Sequence, residues 1–359
     1  MSESLIQPSK LRGTDFDPME RPAMPVVLVD LDDGKGPRAP EPHGSDGADM
    51  PRDLPYFVAV ARAAATRARG FERFVLSYTQ RVGVTLGPRD VWFLIGDETA
   101  TRLARPPTCP VFRTHGERFG VPWRGAHLDS SLAAAEVALW ARNRGRGLWH
   151  AAPHLLATRR RGPLHWLPLG MPAWTTIPEG IPPIGARPFD VSFRGSLRGE
   201  RSYAPKTLSR RRMAEALGRL PPIVAIDFSE TKSFGASYSL DPGSYTEALL
   251  QTKLCLAPRG GSLETFRLFE GAVAGCVVIT EPLPPAWFYA GLPRHEVRSW
   301  RELPHAVERL LENPLLLGQM SRAARDWARN VVSPEGVGRW VADRLSGGHN
   351  QSLWAPGPE

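Results

Sequence analysis

Residues 253 to 281, KLCLAPRGGSLETFRLFEGAVAGCVVITE, constrain this chain more than any other stretch. Leu254, Cys255, Leu256 and Ala257 form an apolar run without polar alternation, the pattern of a strand covered on both faces. Pro258 stops that strand, and Arg259-Gly260-Gly261 follows with little side chain to keep a ligand off the backbone. Ser262 is placed to cap a helix over 263–274, on which Glu264, Arg267 and Glu270 share one face. Leu268, Phe269, Ala272 and Val273 can pack inward from the same helix. Gly275 closes it, and Cys276, Val277, Val278 and Ile279 read as the next buried strand. The result is one βαβ unit of a parallel sheet. Its basic turn stands at the carboxyl end of the first strand, where parallel α/β domains meet their ligands. The helix start behind the turn offers backbone N–H groups to an anion. Periodicity alone leaves a solvated polar face as an equal alternative; the place of Arg259 and Glu270 near the sheet's carboxyl edge favours a binding role.

The string YTEALLQTKLCLAPRG from Tyr245, followed by TFRLFEGAVAGCVVI from Thr265, resembles the nucleotide-sugar-binding segment of exostosin-like glycosyltransferases. The resemblance is close over 245–284 and looser over 190–345, and the N-terminal half matches only in general layout. It implies an α/β protein of the GT-B class: two Rossmann-like domains, each with a mainly parallel sheet, facing each other across a cleft. It places the diphosphate at Arg259 and at the helix start, with Gly260, Gly261 and Ser262 shaping the turn and Thr265 or Arg267 assisting. It places ribose hydroxyls at Glu270. The chemistry is sound independently, since a diphosphate is bound well by guanidinium and backbone donors. The family often has Ala-Leu after the glutamate, whereas Gly271-Ala272-Val273 stands here, a packing change that leaves the polar residues untouched. The reaction implied is transfer from a nucleotide-sugar donor to a hydroxyl of a glycan, lipid-linked or small-molecule acceptor. No cofactor and no metal are expected, and inversion is the expected outcome.

A chain of 359 residues is long enough for two cores. The divisions expected are a tail over 1–22, an acceptor domain over 23–171 and a proline-rich linker over 172–188. A nucleotide-sugar domain over 189–332 follows, then a terminal helix over 333–346 that packs towards the first domain, and a tail over 347–359. In the first domain, strands are expected over 25–31, 74–78, 91–95 and 111–114, and helices over 56–69 and 132–144. In the second, the patterning predicts strands over 190–195 and 223–228 and helices over 209–217, 245–251, 303–311, 314–330 and 337–345. The strand over 190–195 ends at Gly195, and Arg198 and Arg201 follow as further phosphate candidates. Solvated loop charges are the equal alternative for those two arginines. The run Arg210-Arg211-Arg212 reads as a helix surface and Arg159-Arg160-Arg161 as a loop.

The remaining signals are weaker. Asp30-Leu31-Asp32 resembles both a metal-binding DxD and a phosphatase nucleophile motif, but the acid that should follow Gly96-Asp97 is replaced by Thr99-Ala100-Thr101. Asp30 and Asp32 are therefore read as a surface turn. Asp97, Glu98 and His115 follow first-domain strands and are the candidates for a general base on the acceptor. His127, His150, His154 and His165 lack zinc spacing, and the tryptophans at 123, 140, 149, 166 and 174 are read as core. Three cysteines in apolar strings are expected to be free buried thiols, which fits a reducing compartment. The polar start and the lack of a long apolar run point to a cytoplasmic protein, with peripheral contact at the inner face of the membrane as the further expectation. The net charge of +8 suits phosphorylated donors, but no aromatic-basic RNA motif accompanies it, so nucleic acid is not expected. The alternative to a transferase is a basic Rossmann-like module that binds nucleotide, RNA or a protein partner without catalysis.

Overall fold

The computed structural model describes residues 25–30, 53–80, 82–96, 108–115, 162–171, 180–197, 204–231, 242–260 and 264–347, with single positions at 39, 134, 137, 138 and 141. Two parallel sheets of five strands organise them. The first comprises β1 (Val26–Asp30), β2 (Arg73–Ser77), β3 (Asp90–Leu94), β4 (Val111–Arg113) and β5 (Leu164–Trp166), side by side in chain order. Phe74, Phe93 and Phe112 pack ring to ring through its core, at centroid separations of 6.1 and 5.5 Å. Helix α1 (Leu54–Ala65) covers that core with Phe57, Val60, Ala61 and Ala64, a stripe at helical spacing. Pro55 opens the helix, where a missing N–H has no cost.

The second sheet comprises β6 (Phe189–Gly195), β7 (Ile226–Glu230), β8 (Thr252–Ala257), β9 (Val277–Thr280) and β10 (Arg294–Glu296). Their order is β10-β9-β8-β6-β7. The winding therefore reverses between β6 and β8, which creates a topological switch point. The helices of this half are α2 (Ala204–Leu217), α3 (Pro242–Leu250), α4 (Phe266–Val273), α5 (Leu303–Leu311) and α6 (Pro314–Trp327). The stretch read as a linker ends in a docked segment: Arg187 is buried and donates to the carbonyls of Thr252 and Ala274 at 2.7 and 2.8 Å.

After α6 the chain makes a π-turn over Ala328–Val332 and enters α7 (Pro334–Leu345), capped by Ser333 Oγ, which accepts from the Gly336 N–H. Val337, Val341 and Ala342 of α7 join the core of the first sheet. Gly338 permits the close approach, because a Cβ there would stand 2.5 Å from Ala63 Cβ on α1. Two further bonds pin the halves: the Tyr56 hydroxyl donates to the Val332 carbonyl (2.7 Å), and the Trp287 indole donates to the Trp166 carbonyl (2.8 Å). Trp287 also stacks on Trp340 of α7 at 4.2 Å.

The structure corrects several expectations. Helix α4 begins at Phe266, three residues after the expected start, because Thr265 is extended and Glu264 is held outside the helix as the acceptor of the Tyr289 hydroxyl (2.7 Å). Glu264 therefore does not share a helix face with Arg267 and Glu270. Helix α2 runs from Ala204, five residues before the expected start. Strands β5 and β10 carry three residues each, too short to show a pattern of their own, and exist through their neighbours. Asp30 is not on a surface turn: it is buried and accepts the Gly83 N–H at 2.7 Å. Of the helix expected over 132–144, positions 134, 137, 138 and 141 are described and helical; its other residues, Asp32, the arginines 159–161, the histidines 127, 150 and 154 and the tryptophans 123, 140, 149 and 174 lie outside the residues that can be described.

Candidate functional site

The basic turn after β8 stands at the reversal of the second sheet, where an open parallel sheet leaves a crevice between diverging connections. Arg259 has only 2 % of its surface exposed. Its backbone N–H donates to Glu281 Oε2 at 2.9 Å, and its carbonyl accepts from Arg210 Nε at 3.1 Å. Arg210 Nη1 also donates to the Ser196 carbonyl at 2.7 Å. One guanidinium from α2 thus ties the turn after β6 to the turn after β8, across the switch point. Glu281 ties the same turn to the end of β9. Charge-assisted bonds of this kind are roughly twice as strong as neutral ones and hold a turn in one shape.

Arg210 is buried, against the expectation of a helix surface. The signal that could have found it was present: Arg210 lies three residues before Met213 and seven before Leu217, on the stripe that α2 buries. Arg211 stays exposed on the same helix. Reading the run as three equivalent charges concealed that Arg210 points inward while Arg211 stays in solvent.

Glu270, one turn into α4, is buried and accepts the Tyr245 hydroxyl at Oε2, 2.7 Å away. Burial, and then the Glu270 carboxylate, push the Tyr245 phenol well above its ordinary pKa, so it stays a proton donor. Arg267 donates from Nε and Nη2 to the Arg194 carbonyl at 2.9 and 2.6 Å, and its guanidinium lies 4.6 Å over the Phe193 ring. Gly195 makes room for it, since a Cβ at that position would fall 1.7 Å from Arg267 Nη2. The glycine ending β6 therefore serves the guanidinium of α4. Tyr245 and Arg267 also line a narrow crevice together with Phe193, Ala248 and Cys255, and the Tyr245 hydroxyl holds the Glu270 carboxylate. The Gly271 substitution noted above also has a structural reason. A Cβ there would come within 3.0 Å of Cys255 Cβ and Sγ, so glycine lets α4 sit directly on β8.

Among the other expected donor residues, Thr265 is buried at the N-cap of α4 and Gly260 is partly exposed. Arg198, Arg201, Gly261 and Ser262 lie outside the described residues, as do Asp97 and Glu98. The structure thus brings together Gly195, Arg259, Gly260, Thr265, Arg267 and Glu270 at one sheet edge. His115 follows β4 in the left-handed region, φ 51°. Burial, and then the Arg113 cation, lower its pKa to about 3, which keeps the imidazole neutral at pH 7 and makes it a weak base. His165 is stacked on Phe112 at 4.9 Å and packs edge-on to Trp340. Cys109, Cys255 and Cys276 are free and buried, and burial raises all three thiols above their ordinary pKa, to about 12 for Cys109 and about 11 for Cys276. Among the described residues no cluster of His, Cys, Asp and Glu has the makings of a metal site, and no helix is long and apolar enough to cross a membrane.

No protein-family model matches the chain, and no curated protein does. Solved structures similar to it include some that are glycosyltransferases. WaaG, a glycosyltransferase involved in lipopolysaccharide biosynthesis, is 14 % identical with a TM-score of 0.40, over 82 % of this chain and 95 % of that one. HepE from Anabaena, solved with UDP and glucose, is 13 % identical with a TM-score of 0.41, over 90 % of this chain and 100 % of its own. The GtfA/B complex is 11 % identical with a TM-score of 0.40; the match takes in 73 % of this chain and 58 % of that one. Scores and identities this low carry nothing about the chemistry of this chain. The chain is an α/β protein with two parallel five-stranded sheets among its described residues and, at the switch point of the second, a buried arginine–glutamate constellation.

Proposed function

We propose that the protein is a GT-B glycosyltransferase that moves a sugar from a nucleotide-sugar donor to a hydroxyl acceptor. The observation that carries the reading is the placement of Arg259 and Glu270, both buried and both charged residue types, at the switch point of the second sheet. Buried charged side chains are expensive unless a partner or a function retains them. A diphosphate at Arg259 and the start of α4, with ribose at Glu270, uses both residues in the manner that the exostosin-like resemblance implies. Glu270 Oε2 already holds the Tyr245 hydroxyl, which fixes the carboxylate for a ribose. Arg259, assisted by Arg198 or Arg201, would offset the charge that develops on the departing diphosphate. The reaction needs no metal in this scheme and inverts the anomeric centre.

The acceptor (a glycan, a lipid or a small molecule) would enter from the first sheet, with peripheral contact at the inner face of the membrane in the lipid case. Asp97 and Glu98 are better general bases than His115, whose lowered pKa leaves it little proton affinity. Calorimetric titration with UDP-, GDP-, ADP- and TDP-sugars tests the donor half. Arg259→Ala and Glu270→Ala should each weaken the tightest donor by roughly 100-fold. A wild type that binds no donor, or two variants that bind as well as the wild type, would end this reading. Donor binding without transfer or hydrolysis would favour the non-catalytic nucleotide-binding module.

A further inference from the structure

We propose that Glu281 is a further donor-site carboxylate, one that receives a hydroxyl of the transferred sugar; the inference rests on the nucleotide-sugar reading above. Glu281 directly follows β9 at the carboxyl edge of the second sheet and is 3 % exposed. Its Oε2 accepts the Arg259 backbone N–H at 2.9 Å. Its Oε1 is buried and meets no hydrogen-bond donor among the described residues. A buried carboxylate oxygen is costly to leave without a donor, and folded proteins keep such atoms where water or a ligand completes them. The brace on Arg259 uses one oxygen only, and a glutamine would supply it equally well through its amide oxygen. The second oxygen needs its own reason. Phosphate would be repelled there, whereas a sugar O–H can donate.

The order of groups along the sheet edge identifies which sugar. Arg267, one turn from Glu270 on α4, is bonded to the Arg194 carbonyl of β6, which places this pair on the β6 side of β8. Arg259 follows β8 itself, and Glu281 follows β9, the neighbour on the opposite side. Ribose, diphosphate and transferred sugar are joined covalently in that same order. With ribose at Glu270 and diphosphate at Arg259, the next group along the edge lies beside Glu281.

The test is calorimetric titration of the full chain with a nucleotide and its sugar conjugate, beginning with UDP and UDP-glucose and using the tightest pair from the donor screen. Glu281→Gln should hold the nucleotide within about twofold of wild type while weakening the nucleotide sugar roughly tenfold or more. Glu281→Ala, which also removes the brace on Arg259, should weaken both. Unchanged binding of both ligands by Glu281→Gln would overturn the proposal and leave the donor reading intact. Equal weakening of both would overturn it too, by assigning Glu281 to the frame around Arg259. A wild type that binds no nucleotide sugar would remove the donor reading and this inference together.

Discussion

The two sheets of this protein have the same strand number and direction, yet they differ in what they can hold. In the first, the described strands β1 to β5 follow chain order, with no reversal among them. Its centre is a ladder of phenylalanines under α1, and Asp30 at its carboxyl edge serves to hold a loop. In the second, the reversal between β6 and β8 opens the edge, and buried charged residues gather there, among them Arg210, Arg259, Glu270 and Glu281. Composition does not explain the contrast, because both halves are arginine-rich α/β sequence. Strand order does. A reversal sends consecutive connections to opposite faces, and the turns between them have room for a ligand and little apolar cover.

The largest effect expected beyond the donor substitutions concerns how the halves are joined. Gly338→Val should destabilise the protein by about 1–3 kcal/mol, because the new side chain must overlap Ala63 where α7 meets α1. Urea denaturation measures it; if the same substitution left stability unchanged, the close α1–α7 contact would not be what binds the second half to the first. A smaller and more selective effect is expected at the switch point. Gly195→Ala should lower donor affinity by roughly threefold to tenfold, since its Cβ displaces the Arg267 guanidinium from the Arg194 carbonyl. In an Arg267→Met background the same change should cost less, and the double-mutant cycle reports that coupling. Additive effects would show that Gly195 acts on something other than Arg267.

The smallest effect belongs to the first sheet. Burial, and then the Arg344 cation, lower the His165 pKa from 6.5 to about 4. Below pH 6.5 the unfolded chain takes up this proton before the folded one does, so the stability it carries is present above pH 6.5 and declines as pH falls towards 4. His165→Phe keeps a ring on Phe112 and should flatten that decline. Urea midpoints at about pH 5 and about pH 7.5 measure it, and an unchanged difference between them would place the acid sensitivity elsewhere.

Much of this was written in local pattern. The apolar run before Arg259, the break at Pro258 and the valine-rich run after Gly275 specify a βαβ unit because strand and helix periods differ and turns need glycine and proline. Arg259 and Glu270 were readable as candidates because the turn follows a buried strand. Arg210 was hidden inside a charge run, and Glu281 carried no local signal of its own. Glu264 was assigned to a helix that starts after it. Each of those outcomes depended on a partner 22 or more residues away along the chain: Arg259 for Arg210 and for Glu281, Tyr289 for Glu264. Local spacing decides which face of an element a residue occupies, and that much the amino-acid order set for nearly every strand and helix in both halves. Which buried carboxylate meets which guanidinium, and at which edge, depends on strand order and on helix approaches such as Gly271 on Cys255 and Gly338 on Ala63. Those are contacts between distant segments, and only the folded chain could select them.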